Sequence, residues 1–203
     1  MSRYTGPRLK VMRSLGLDLP GLSPKTIEKR PFPPGQHGQA RKKHSEYALR
    51  LREKQKVRLN YGLTEGQLRR LMVEAKSRKE ETGPKLLEFV ERRFDNVVFR
   101  AGFARSIPAA RQLVNHGHFL VNGKRVDIAS YRIRLGDVIT VRERSKNLDS
   151  IAQGAAVANN FQTPWLTVER EKLTATVNSL PDETSVLFPL NVQLIVEYYS
   201  QRL

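Results

Sequence analysis

Cysteine is absent from this 203-residue chain. Its absence excludes disulfides, thiolate metal sites and cysteine nucleophiles, and removes any support for an oxidising compartment or a redox role. Histidine is scarce: His37, His44, His116 and His118 are the only four, scattered and short of nearby carboxylates, so no metal site is expected. Long apolar runs are also missing. Stretches such as Phe119-Leu120-Val121 and Leu194-Ile195-Val196 fall far short of the roughly twenty residues a bilayer requires. The basic start has no apolar core behind it, so no secretory signal is expected and the chain reads as soluble and intracellular. Aromatics make up 7% and hydrophobic residues 39%, enough for modest cores only, so two small modules plus an arm fit the length better than one large domain. Acidic residues are outnumbered, twenty against thirty-six Lys and Arg, for a net charge of +16.

The positive charge is unevenly placed. Residues 1–60 carry +11, 61–100 carry +2, 101–146 carry +6 and 147–203 carry −3. A gradient from a cationic arm to a slightly acidic tail is the footprint expected of a chain lying on nucleic acid, whereas charge kept for solubility would be spread. Within residues 1–45, Pro and Gly recur at Gly6-Pro7, Pro20-Gly21, Pro24, Pro31, Pro33-Pro34-Gly35 and Gly38, interleaved with Arg3, Arg8, Lys10, Arg13, Lys25, Lys29, Arg30, Arg41, Lys42 and Lys43. Such a segment reads as irregular, either a disordered tail or an arm that becomes ordered on an anionic template.

Beyond the arm, Ser45-Glu46 opens a helix running to about Asn60, with Arg50, Lys54 and Arg58 at i, i+4 and i+8 and Arg52, Gln55 and Lys56 beside them. Its apolar stripe fades after Tyr47 and Leu51, so a phosphate surface is expected to hold most of it. Thr64-Glu65-Gly66-Gln67 is a capping-box pattern, after which Leu68, Leu71, Met72 and Ala75 face a core while Arg69, Arg70 and Lys76 face outward. Gly83-Pro84 opens a third helix, and Asp95 reads as the cap of a short fourth one. Ser106 caps the next, burying Ile107, Ala110, Leu113 and Val114 and leaving Arg105, Arg111, Gln112 and Asn115 outside before the His116-Gly117 exit. Asn122-Gly123 signals a hairpin that presents Lys124 and Arg125, with Arg132 and Arg134 following and Val138–Val141 forming a further strand. A linker helix over 148–158, strands at 165–168 and 173–177, and a last amphipathic helix (Val192, Ile195, Val196, Tyr199) complete an α+β chain. That last helix is expected to return to the Leu68/Leu71/Met72/Ala75 stripe. The expected organisation is therefore an arm over 1–45, a helical domain of 46–92 plus 178–203, and an inserted αβ domain over 93–177 whose RNA-binding module spans about 93–155. Its polar and basic tips suit phosphate and 2′-hydroxyl contact.

Several motifs in order carry a family resemblance: Met1-Ser2-Arg3-Tyr4-Thr5-Gly6-Pro7, Pro34-Gly35-Gln36-His37-Gly38, Leu51-Arg52-Glu53-Lys54-Gln55-Lys56, Arg93-Phe94-Asp95-Asn96-Val97-Val98, Ala110-Arg111-Gln112-Leu113-Val114, Val121-Asn122-Gly123, Ile128-Ala129-Ser130-Tyr131 and Ile195-Val196-Glu197-Tyr198-Tyr199-Ser200. The whole chain resembles the small-subunit ribosomal protein four family, universal binders of ribosomal RNA. The resemblance implies a non-enzymatic protein that grips a junction in small-subunit rRNA, nucleates assembly of the subunit body and supports decoding accuracy beside ribosomal protein five, in a bacterial cytoplasm or an organelle. It adds Tyr4, Gln36, His37, Ser106 and His116 to the candidate rRNA contacts already named, and places the loop bearing Arg41, Lys42 and Lys43 near the path by which messenger RNA reaches the subunit. Many members bind zinc through four cysteines; with none here, no cofactor or metal is expected. Residues 105–141 also resemble the RNA-binding module of pseudouridine synthases and tyrosyl-tRNA synthetase, so an RNA-modifying enzyme or a tRNA-binding accessory protein is the rival reading. Against it stand the lack of a catalytic domain's length of chain and of any nucleotide-binding glycine pattern, nucleophile elbow or paired carboxylates.

Overall fold

The structure is a computed structural model that describes residues 4–40, 43–157 and 163–202. Contacts divide the chain into two compact units, residues 1–86 with 188–203, and residues 87–187. The first boundary falls within a helix, not after it.

In the first unit, helix α1 spans Arg8–Leu15, α2 spans Glu46–Asn60 and α3 spans Glu65–Lys76. Local chemistry sets their ends. Ser45 Oγ accepts the Ala48 N–H at 3.3 Å, while Thr64 and Gln67 exchange the two bonds of a capping box at 3.3 and 3.0 Å. Helix α1 departs from the sequence reading, which left residues 1–45 irregular. Eight residues free of Pro and Gly suffice for two turns between Pro7 and Gly16, whose φ of 63° closes the helix in the left-handed region. Its Met12 and Leu15 are buried with Leu19 and Leu22, and Asn60 at the end of α2 accepts the Gly21 N–H at 2.9 Å. The segment around 8–27 is thus part of this unit's core. Gly16, Pro20 and Gly21 between those apolar residues hid their spacing of three and four.

Helix α4 covers Thr82–Glu91, and the second unit continues with α5 at Phe94–Arg100 and α6 at Ile107–Asn115. Strands β1 (Phe119–Val121), β2 (Lys124–Arg125), β3 (Val138–Val141), β4 (Leu166–Glu169) and β5 (Thr174–Val177) form one antiparallel sheet in the order β2-β1-β3-β5-β4. Asn122 and Gly123 both have positive φ, 50° and 77°, as the two-residue β1–β2 turn requires. Phe94 and Phe103 pack on Phe119 with ring centroids 6.1 and 6.0 Å away, and Trp165 is buried nearby in sequence to β4. Helix α7, Asp149–Val157, was read as a linker, yet its Ile151 is fully buried and its Gly154 lies against the backbone of Phe103 and Ala104. The expected end of that helix at Asn159-Asn160 lies outside the described residues. The α+β class read from the sequence is the class of the structure.

Helix α8, Val192–Ser200, belongs to the first unit. It lies chiefly along α2, with Tyr47 and Tyr198 rings 6.0 Å apart, and reaches α3 through the Tyr199 hydroxyl, which donates to Glu65 at 2.8 Å. The expected apolar stripe of α3 is a lesser partner, because α2 offers a matching row of charges and rings.

Candidate nucleic-acid interface

In the second unit, the Ser106 hydroxyl caps α6 by accepting the Ala109 N–H at 3.4 Å. The four predicted core residues Ile107, Ala110, Leu113 and Val114 are buried, which turns Gln112 and Asn115 outward and exposes His116 at the helix end. Gly117, at φ 71°, then redirects the chain into β1. The hairpin tip exposes Lys124 and Arg125, and Arg125 pairs with Asp127 at 3.8 Å, both half exposed. Arg105 is exposed and donates to Gln153 at 3.0 Å. A helix edge, a helix exit and a hairpin thus offer amides, an imidazole and cations on ordered backbone, the groups that read phosphate and sugar. The neighbouring His118 is held below the ordinary histidine range by burial first, then by His116 and Arg142, and its Nδ1 lies 2.9 Å from Ser145 Oγ.

Asp95 is not the helix cap the sequence suggested. Arg93 holds that position, and Asp95 sits fully buried in the first turn of α5. There it accepts from Arg93 and from Arg111, so the Arg111 guanidinium, a predicted RNA contact, is tied to the core and its side chain is 18% exposed. Arg132 stacks its guanidinium over the Phe89 ring at 4.3 Å and is half-buried.

In the first unit, Tyr4, Arg8, Lys10, Lys25, Lys29, Arg30, Gln36, His37 and Lys43 are exposed, as are Arg69 and Arg70 on the outer side of α3. Lys76, expected to face outward with them, is exposed too, and Lys79 beyond the helix adds a further exposed cation. Arg13 is half-buried and donates to the Phe32 carbonyl at 2.9 Å. Arg3, Arg41 and Lys42 lie outside the described residues.

The cationic row of α2 fares differently. A phosphate surface is not needed to hold it, because α8 and α3 bring acids to it. Arg50 donates to Glu197 at 2.8 Å, and Lys54, 3% exposed, donates to Glu65 at 2.8 Å while lying 4.9 Å from the centre of the Tyr198 ring. Lys56 pairs with Glu53, Arg58 donates to Gln55, and Arg52 donates to the Leu15 carbonyl at 2.9 Å and to His44 Nε2 at 2.8 Å. Burial by itself raises the Glu65 carboxyl, but hydrogen bonds from Lys54 and Tyr199 outweigh it and hold the group below the usual glutamate value. Burial first, and then the same carboxylate, push the Tyr199 hydroxyl well above the ordinary tyrosine range. A lysine four residues from an arginine does not reveal this. The signal available was Glu65 at the start of α3 and Glu197 within the stripe of α8.

Residues 3–91 match the family described as Ribosomal protein S4/S9 N-terminal domain, and residues 92–139 match the S4 domain. The chain is 54% identical to small ribosomal subunit protein uS4 of Methylobacillus flagellatus over 205 residues, covering all of both chains. The chain belongs to the ribosomal protein uS4 family. It is likewise 55% identical to the uS4 protein of Rippkaea orientalis over 211 residues and 51% identical to the uS4B protein of Nitrosomonas europaea over 205, again with full coverage of both. A uS4 protein is a structural, RNA-binding component of the small ribosomal subunit and not an enzyme, so the rival reading as an RNA-modifying enzyme is set aside. Among the described residues no group of three or more His, Asp or Glu could hold a metal ion, and no helix is long and apolar enough to cross a membrane. The four-cysteine zinc site that the resemblance raised has no thiolate donors in this chain.

Proposed function

We propose that the protein is a primary binder of small-subunit rRNA that nucleates assembly of the subunit body and, beside ribosomal protein five, contributes to translational accuracy, in the cytoplasm of a bacterium. The observation that supports this most directly is the separation of its cations into two kinds. Arg50, Lys54 and Arg111 are engaged by Glu197, Glu65 and Asp95, whereas Arg8, Lys10, Lys25, Lys29, Arg30, Arg69, Arg70, Lys124 and Arg125 stand exposed on ordered backbone. These nine exposed cations, on a chain of net charge +16, attract an anionic partner with a steep dependence on salt. Membership of the uS4 family supports rRNA as that anion. Lys43, exposed and next to Arg41 and Lys42 in sequence, is a contact for messenger RNA passing the subunit.

The test is filter binding of the protein to small-subunit rRNA. If about six to ten phosphates are neutralised, affinity drops by roughly three to five decades between about 50 and 200 mM salt. A flat salt response would overturn the reading. Replacing Arg41, Lys42 and Lys43 by Ala is expected to slow translation through structured messages while assembly proceeds normally, and a defect confined to assembly would return the three to the rRNA contacts.

A further inference from the structure

Among the described residues the exposed aromatic rings are Tyr4, Phe32, Tyr47 and Tyr131, and three of them lie against their own unit. Tyr47 meets the Tyr198 ring at 6.0 Å and the Arg202 guanidinium at 5.4 Å, and Tyr131 meets Phe94 at 6.5 Å. The Tyr4 ring folds back over Gly6, where an added Cβ would stand 2.7 Å from the Tyr4 hydroxyl. Phe32 differs: it is 46% exposed, and among the described residues its ring makes no aromatic or cation–π contact. A lone exposed phenyl is ordinary on a protein surface. What sets this one apart is the stiffness of the chain that carries it. Pro31, Pro33 and Pro34 lock their own φ, and a residue that precedes proline is itself held extended. Arg13 of α1 donates from Nε to the Phe32 carbonyl at 2.9 Å, and upstream Asp18 accepts the Ile27 N–H at 2.9 Å. Downstream, the Gly38 N–H bonds the Gly35 carbonyl at 3.2 Å, and the chain at Gly38 passes so close to the Pro33 carbonyl that any Cβ there would collide with it. Helix α1 is anchored in turn by buried Met12 and Leu15. The ring is thus held outward by clamped backbone, so little freedom is lost when it meets a partner. Exposed Lys29 and Arg30 precede it, and exposed Gln36 and His37 follow it. Phosphate-holding groups on both sides of a flat apolar face are the make-up of a platform for an unstacked base.

We propose that Phe32 is a stacking platform for one unpaired nucleobase of small-subunit rRNA, with the cations beside it on the adjoining phosphates. The proposal rests on the rRNA reading above. Its test is filter binding of the full chain to full-length small-subunit rRNA, at equal folded fraction by circular dichroism. Phe32→Ala weakens binding about five- to hundred-fold and leaves the salt slope at the wild-type value, because a lost stack releases no counterion. Phe32→Leu keeps apolar bulk without a π face and binds at least about three-fold weaker than wild type. Phe32→Trp keeps the face and binds within about three-fold of wild type. Its added indole is also quenched on complex formation, beyond any change shown by the buried Trp165 of the wild type. Phe32→Ala within about two-fold of wild type overturns the proposal and leaves the ring to solvent or to a protein neighbour. Phe32→Leu as tight as wild type overturns it too, since apolar contact alone would then suffice. An unquenched indole has the same force. So does a salt slope that falls with Phe32→Ala, because the ring would then only hold the arm's cations in place. A flat salt response of the wild-type protein removes the rRNA reading and this proposal with it, while a steep wild-type response with an unchanged Phe32→Ala removes the proposal alone.

Discussion

At the scale of single residues, one glycine and one histidine carry consequences that the composition hides. A Cβ built on Gly154 of α7 would stand 2.6 Å from the Ala104 nitrogen and 2.8 Å from the Phe103 carbonyl carbon, both backbone atoms that cannot swing aside. Gly154→Ala, which raises helix propensity, is therefore expected to destabilise the second unit by about 1–3 kcal/mol of overpacking in urea unfolding, against a propensity gain of roughly 1 kcal/mol. An unchanged midpoint would mean that α7 floats on its neighbour. His118 is depressed below its ordinary 6.5 by burial, His116 and Arg142. The unfolded chain then takes up a proton near that value while the folded one stays neutral, so the contribution to stability is complete above it and is lost as pH falls toward the folded value. Comparing urea midpoints at about pH 7.5 and about pH 5.5, the wild type is expected to lose more on acidification than His118→Gln does.

At the scale of elements, α2 shows how cations that a sequence pattern points toward RNA also meet acids of their own protein. Its cations do lie in a row, but α8 supplies Glu197 and Tyr198 and the start of α3 supplies Glu65, so Arg50 and Lys54 are engaged in helix packing. Lys54→Met is expected to lower the stability of the first unit by about 1–3 kcal/mol, softened because the Glu65 side chain is 46% exposed and can recruit water. The salt slope of rRNA binding should stay at the wild-type value, since a 3%-exposed ammonium is not a phosphate contact. A reduced slope with unchanged stability would restore Lys54 to the RNA-facing set. Capping, by contrast, was legible from neighbours alone. Ser45, Thr64 and Ser106 each accept the bond their position announces.

At the scale of the whole molecule, the N-terminal segment is both cationic footprint and core. Met12 and Leu19 are fully buried, and Leu15 and Leu22 are buried with them, so deleting residues 1–45 strips four large apolar side chains from the first unit along with ten Lys and Arg. At about 1.5–3 kcal/mol for each buried side chain, the loss is roughly 5 kcal/mol or more, comparable to the total stability of a small domain. The truncated chain is expected to show reduced helical signal and a low or absent urea transition attributable to residues 46–86 and 188–203, whereas a disordered arm could be removed without either change.

What the sequence determined by itself depends on near neighbours or on totals: the absence of thiol chemistry, the charge gradient, the Ser45, Thr64 and Ser106 caps, the Asn122-Gly123 turn and the α+β class, because propensity, capping and net charge are local or additive. What only the tertiary structure decided was pairing. Whether Lys54 faces Glu65 or a phosphate, whether Asp95 caps a helix or holds two arginines, and whether Leu19 belongs to a tail or a core each turn on which distant residue arrives opposite. The partners lie 11 residues away for Lys54, 16 for Arg111 and 39 between Gly21 and Asn60. Charge on a helix face attracts any opposite charge that reaches it, and chain folding selects among acids of the same protein and phosphates of another molecule by geometry that no single segment encodes.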